Sequence, residues 1–199
     1  MHVGGGFRDD GFTAGLRPLV AKRFAANYQV NAFSGSGMVR NRDGREQPKY
    51  RMPMLYPHAL FDDPTPDDSP WHPRIIVIGI GGADFSTPLR PDEPWGTKEE
   101  FAAYYEKTYV AFMKELRAKN PKALLLMTWP SDQGADYPAS ARRVLEKLRA
   151  DGVKRVDQMV YPKLKRTGCD SHPNVRDDAL IAEMLEAYIE VRPDLWKWK

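Results

Sequence analysis

The sequence predicts an α/β fold: a doubly wound, mainly parallel sheet covered by helices. Three observations predict it. Two continuous apolar runs, Arg74-Ile-Ile-Val-Ile-Gly-Ile80 and Ala123-Leu-Leu-Leu-Met-Thr-Trp129, suit strands buried on both faces of a parallel sheet. Segments with apolar residues at helical spacing alternate with them. Loops of unusual composition, Ser34–Asn41, Gly81–Ser86 and Cys169–Pro173, share the edge where such folds place ligands, outside the carboxyl ends of the strands. At 199 residues the chain reads as one domain, 1–199, large enough to bury a core without staples.

Residues 1–13 are rich in Gly and Asp and read as irregular, with at most a frayed strand around Phe7. Ala14–Ala26 sets Leu16, Leu19, Val20 and Phe24 at helical spacing, with Pro18 tolerable near the start. Tyr28–Phe33 alternates and reads as a strand, ended by a tight turn at Ser34-Gly-Ser-Gly37. Residues 40–73 form a long, polar, proline-rich connection pinned by Tyr50, Met54, Leu55 and Tyr56, a length typical of a functional loop or lid.

Thr97-x-x-Glu100 is a capping box that opens a helix running to about Lys119. Its apolar face takes in Phe101, Tyr104, Tyr105, Tyr109, Phe112, Met113 and Leu116. Ala139–Ala150 is a helix stopped by Gly152, and Val153–Tyr161 a strand of mixed character. Asn174 caps the last helix, with Asp177 and Asp178 in its first turn and Leu180, Ile181, Met184, Leu185, Tyr188 and Ile189 on its buried face.

Composition narrows the function. A net charge of +3 with basic residues spread along the chain argues against a nucleic-acid groove; the one basic cluster is Lys163-Leu-Lys-Arg166. The single cysteine, Cys169, excludes an internal disulfide framework. No apolar run approaches membrane-spanning length, and Met1–Gly6 lacks a signal pattern.

The candidate chemistry lies at Cys169-Asp-Ser-His-Pro173. Pro173 biases His172 away from helical dihedrals, and in extended backbone Asp170 and His172 project to the same side. A carboxylate orienting an imidazole is a base with its orienter, as a hydrolase requires. The competing reading is a loop turn that feeds a helix cap. A Cys169–His172 thiol pair is a further reading, and metal binding through Cys169, Asp170 and His172 with His58 or His72 has no recognised ligand spacing. Ser34, Ser36, Ser86 and Ser131 read as turn and cap hydroxyls.

Four motifs taken together resemble a known family. Asn31-Ala-Phe-Ser-Gly-Ser-Gly-Met-Val-Arg-Asn41, Gly81-Gly-Ala-Asp-Phe-Ser-Thr-Pro-Leu89, Glu93-Pro-Trp95 and Gly168-Cys-Asp-Ser-His-Pro173 resemble the catalytic domain of SGNH/GDSL-type esterases, and within those carbohydrate esterase family 2, the acetyl-xylan esterase group. The likeness runs from about Leu16 to the C-terminus. It implies a flavodoxin-like, three-layer α/β/α sandwich, often beside an N-terminal β-sandwich, and removal of O-acetyl groups from plant polysaccharides by a serine nucleophile without metal or other cofactor. It implies an acetylated carbohydrate as partner, no nucleic acid, no membrane, and a secreted or periplasmic setting.

Carried over by position, the resemblance puts the oxyanion donor at Gly35, the orienter at Asp170 and the base at His172, with Trp129 and Trp95 against substrate. Ala83 stands where asparagine is expected in the oxyanion hole. Asp9-Asp-Gly-Phe-Thr-Ala-Gly15 laid over Gly-Asp-Ser-Phe-Thr-Ala-Gly puts Gly11 at the nucleophile, where serine is expected. Equally, the first strand and its serine are absent and Gly11–Leu16 only leads into the helix. Two functions follow: an acetyl esterase, or a non-catalytic member that keeps a sugar-binding cleft lined by Trp95, Trp129 and Tyr56.

Overall fold

The computed structural model describes residues 16–42, 50–58, 65 and 70–196. Its elements are α1 (Leu16–Arg23), α2 (Met52–Leu55), β1 (Ile75–Ile78), α3 (Lys98–Lys119), β2 (Leu124–Pro130), α4 (Asp136–Ala150), β3 (Val156–Tyr161) and α5 (Val175–Glu190). This is an α/β fold with a three-stranded sheet in the order β1-β2-β3; β1 and β2 run parallel, with Ile75 opposite Leu124 and Ile78 opposite Met127. The described residues gather into two compact units, one of residues 31–129 and 133–158, the other of residues 16–30, 130–132 and 159–196.

In the first unit β2 is buried along its whole length, as its unbroken apolar run predicts. β1 corrects the expectation of a strand buried on both faces. Among the described residues it pairs only with β2, and Val77 is 42% exposed. Tyr28–Phe33 is a second correction, because it forms no strand. Its alternation generates no buried face: Tyr28 and Phe33 are both exposed, and no ladder partner lies among the described residues.

α3 begins where the capping box predicts. Thr97 Oγ1 accepts the Glu100 amide, while the Glu100 carboxylate accepts from Gly96, one residue further out. Its buried stripe is Phe101, Tyr105, Tyr109, Phe112, Met113 and Leu116; Tyr104, expected on that stripe, points outward at 47% exposure. α4 starts three residues earlier than predicted, because Pro138 is accommodated in its first turn, where no intrahelical amide is needed. It ends in a Schellman motif, Gly152 N donating to Arg149 O and Val153 N to Leu148 O.

Glu106 is a charged residue on the otherwise apolar α3 face. It accepts from Arg143 Nε and Lys147 Nζ of α4, tying the two helices together. Burial pushes its carboxyl up, but the two cations outweigh that and hold it below the ordinary glutamate value. In the second unit α1 packs on α5, with Arg23 paired to Glu190 and Phe24 stacked on Trp196.

Glu106→Gln keeps the shape and removes the charge both cations face. The expected loss is roughly 1–2 kcal/mol, read as a lower urea midpoint with unchanged slope. Because the native carboxyl titrates below the unfolded one, this contribution is complete at neutral pH. It is lost as pH falls through the depressed value, where the two proteins converge.

Candidate active site

In the first unit the loop Ser34–Asn41 is folded around one carboxylate. Asp84 is fully buried; its Oδ2 accepts the Met38 amide at 2.8 Å, and its Oδ1 accepts the amides of Val39 at 2.8 Å and Arg40 at 2.9 Å. Gly37 makes the wrap feasible, since a Cβ there would meet Arg40 O at 2.0 Å and Asp84 Oδ2 at 2.7 Å. Gly37 N donates to Asn41 Oδ1, and Arg42 N donates to Gly35 O. Every amide from Ser36 to Arg40 therefore has an acceptor, whereas the Gly35 amide has none among the described residues.

The Arg40 side chain braces the same loop against the next one. Its buried guanidinium pairs with Glu93 and donates to the carbonyls of Asp84, Thr87 and Pro88. Burial pushes the Glu93 carboxyl up, but the Arg40 hydrogen bond, the Arg90 amide and both arginine charges hold it below its usual value. Burial also raises Asp84, from 3.8 to about 6, against the pull of the three amides. At the exit of β1, Tyr105 and Tyr137 hydroxyls both donate to Ile80 O. Gly81 then adopts φ +137°, where a Cβ would lie 2.1 Å from the Tyr137 ring.

Ala83 follows on this turn. It brings no side-chain donor, and its carbonyl accepts from the Ser86 amide and hydroxyl. Ser36 Oγ donates to Tyr50 O, so Ser36 and Ser86 are turn hydroxyls as read from the sequence. Ser34 and Ser131 are exposed. Gly11 lies outside the described residues.

Trp129 and Trp95, the expected substrate contacts, are both buried. Trp129 is 2% exposed and packs on Tyr137; Trp95 is 8% exposed and packs on Phe101 and Tyr104. Both belong to the buried hydrophobic cluster of the first unit. Tyr56, half-buried, meets Phe112 edge-on.

In the second unit Cys169–Ser171 forms a single 3-10 turn in which Asp170 (φ 51°) and Ser171 (φ 60°) are left-handed. The extended backbone that would bring Asp170 alongside His172 is therefore present only at His172 (φ −77°, ψ 162°), the residue constrained by Pro173. The orienter differs accordingly: His172 Nδ1 lies 2.9 Å from Cys169 O. The exposed Asp170 carboxylate makes no hydrogen bond among the described residues. A carbonyl only accepts, so Nδ1 carries a proton here, and in the neutral ring the lone pair is then on Nε2. Cys169 is exposed with a free thiol and contributes its backbone carbonyl. No group of three or more His, Cys, Asp or Glu side chains among the described residues is placed to hold a metal ion.

The turn is anchored to α5. Asn174 accepts from the amides of Arg176 and Asp177, and Asp177 returns a bond to the Asn174 amide, a reciprocal capping box. Asp177 also accepts from the amides of Lys165 and Arg166, so one carboxylate gathers both ends of the loop 165–174. Burial opposes its charge, but the Asn174, Lys165 and Arg166 amides prevail and hold it below the usual aspartate value.

Sequence reading singled out Gly35, Ala83, Asp170 and His172 but gave no role to Asp84, Arg40 or the Cys169 carbonyl. Asp84 had a signal, a charged residue just after a buried strand. The carbonyl had none, because a backbone acceptor leaves no trace in residue identity.

Comparison with known proteins bears on this arrangement. No protein-family model matches the chain. An acetylxylan esterase / glucomannan deacetylase of Cellvibrio japonicus is 36% identical over 180 residues, spanning 90% of this chain and 50% of that protein. A second Cellvibrio japonicus protein of the same description is 30% identical over 174 residues, 84% of this chain and 45% of its own length. A solved carbohydrate esterase, whose active site is described as showing divergent catalytic and non-catalytic binding functions, superposes with TM-score 0.88 at 33% identity over 96% of this chain and 60% of its own. The chain is a homologue of carbohydrate esterases. It spans about half the length of the curated relatives first matched. A family 2 esterase from Clostridium thermocellum, solved with cellohexaose, shares the fold with TM-score 0.78 at 23% identity over 94% of this chain and 56% of its own.

Asp177→Asn removes the charge that three amides share. The variant is expected to melt at a lower temperature near neutral pH and to show faster amide exchange at Lys165 and Arg166. The stabilisation is complete above the unfolded aspartate value and lost as pH falls through the depressed native one, so the difference in Tm closes in acid.

Proposed function

We propose that this chain is a carbohydrate O-acetyl esterase domain of the family 2 type, directed at acetylated plant polysaccharides such as acetyl-xylan. The observation that carries the reading is His172, fixed by the Cys169 carbonyl in the tautomer that leaves Nε2 basic. The printed activity of the Cellvibrio japonicus homologues supports the substrate class. In the proposed reaction Nε2 takes a proton from a water whose oxygen bonds to the acetyl carbon, then returns it to the sugar oxygen as the ester C–O bond breaks and acetate leaves. The family resemblance assigns the oxyanion donor to the Gly35 amide.

Two substitutions bear on rate. Ala83, where the family resemblance expects asparagine, provides no side-chain donor; loss of one such donor costs roughly 3–4 kcal/mol in transition-state stabilisation. Gly11, where it expects the nucleophilic serine, has no oxygen to acylate. These same positions favour a second reading, a domain that binds carbohydrate without hydrolysing it.

Release of acetate from acetylated xylan, with 4-nitrophenyl acetate as a second substrate, separates the readings when the chain is compared with Gly11→Ser and His172→Ala. The esterase reading expects slow turnover, a rise of at least roughly tenfold in Gly11→Ser, and a fall to background in His172→Ala. Saturable xylan or cellohexaose binding with no acetate release in either the chain or Gly11→Ser overturns the esterase reading in favour of the binding one. Loss of activity in Ser34→Ala or Ser36→Ala would relocate the nucleophile.

A further inference from the structure

The mechanism leaves Asp84 unused, although it is the most deeply buried carboxylate at the site. Its two oxygens take three consecutive amides, Met38, Val39 and Arg40, each within 2.9 Å. Three N–H groups converging on one point impose a concave backbone, a geometry that only an acceptor at its centre can hold. Across the turn, Gly35 O accepts from Arg42 N while the Gly35 amide is left without an acceptor among the described residues. The same aspartate follows Ala83 in the chain, so it couples the two segments to which the oxyanion hole has been assigned.

We propose that Asp84 is the positioning residue of the oxyanion site, its carboxylate holding the Ser34–Asn41 loop so that the Gly35 amide stays turned out as a donor for the acyl oxygen. The part that concerns the acyl oxygen rests on the esterase reading above; the coupling of Asp84 to Gly35 stands on the loop geometry.

The groups facing Asp84 define how the clamp is switched. Arg40 lies on the clamped loop, with its guanidinium on the Asp84 carbonyl and on Glu93. Tyr105 and Tyr109 of α3 both sense the Asp84 charge, and the buried Tyr109 hydroxyl has no hydrogen-bond partner among the described residues. A protonated carboxyl presents a hydroxyl where the clamp needs an acceptor. Burial brings that protonation to about pH 6, so the clamp is complete above this value and lost as pH falls through it.

Nuclear magnetic resonance of the unmodified chain tests this. The Asp84 carboxyl carbon and the amides of Gly35, Met38, Val39 and Arg40 are followed between neutral pH and the onset of acid unfolding. The expected result is a shared midpoint near 6 for all five signals. Movement of the Met38, Val39 and Arg40 amides with Asp84 while Gly35 stays still overturns the proposal and leaves Asp84 a purely structural clamp.

Asp84→Asn provides the second arm. Its amide must set N–H against N–H for at least one of the three donors, and its Gly35 resonance is expected to be displaced and insensitive to pH in this range. In 4-nitrophenyl acetate hydrolysis the variant is expected to lose roughly tenfold in kcat with KM unchanged. A folded Asp84→Asn chain with native Gly35 resonance and native kcat overturns the proposal. Coupled amide titration in a chain that hydrolyses nothing sinks the esterase reading but leaves the coupling of Asp84 to Gly35 in place.

Discussion

A buried negative charge and the amides wrapped around it set the shape of the first unit's loops. Asp84 lies where no water reaches, and the cost of removing a carboxylate from solvent is several kcal/mol. Three amide donors, each worth roughly 1.5–3 kcal/mol as charge-assisted bonds, offset most of it. The balance is close, and the carboxyl is consequently pushed up to about 6 rather than held low. Its sign has a consequence for stability. A native value above the unfolded one means that Asp84 favours the folded chain most in acid, and this contribution is lost as pH rises from 3.8 through about 6. Local order of the loop runs the other way, because the clamp needs the charge.

The second unit meets a similar problem with opposite energetics. Asp177 also collects three amides, but it sits at the start of α5, where the helix dipole favours negative charge, and its carboxyl is held low. That anchor makes the left-handed residues Asp170 and Ser171 tolerable, conformations that cost roughly 1–2 kcal/mol each outside glycine. The strained turn brings the Cys169 carbonyl to His172 Nδ1. A carbonyl fixes the tautomer as a carboxylate would, but it carries no charge to stabilise an imidazolium. The arrangement orients the His172 ring without placing a charge on its Nδ1 side.

How much of this was legible in the sequence depended on whether periodicity or geometry carried the feature. β2, α3 and α5 were legible because a continuous apolar run or a stripe of large side chains needs no knowledge of neighbours. The Asn174 cap was legible because capping is local. Tyr28–Phe33 was not, since alternation makes a strand only when a partner strand and a buried face exist. Val77 shows the same limit from the other side: the run is apolar, but exposure is set by what lies beside the strand. At the site, residue type drew attention to His172 and Gly35, but their backbone setting was not legible. The burial of Trp95 and Trp129 was not legible, because aromatic identity does not tell a core ring from an exposed one.

Retention of the framework and retention of the chemistry are separable here. Asp84, Arg40 and Glu93 are linked buried polar groups: removing Asp84 strands three amides, and removing Glu93 leaves a buried guanidinium without its counter-charge. Such residues are held by folding alone, whether or not the domain turns over an ester. Gly11 and Ala83 are different in kind, because by resemblance they occupy positions that touch reacting atoms, and a change there costs rate without leaving a buried group unpaired. Similarity of the whole fold to the esterases therefore weighs on architecture and on the site's shape. The rate of any esterase rests instead on the few atoms that reach the acyl carbon and its oxygen.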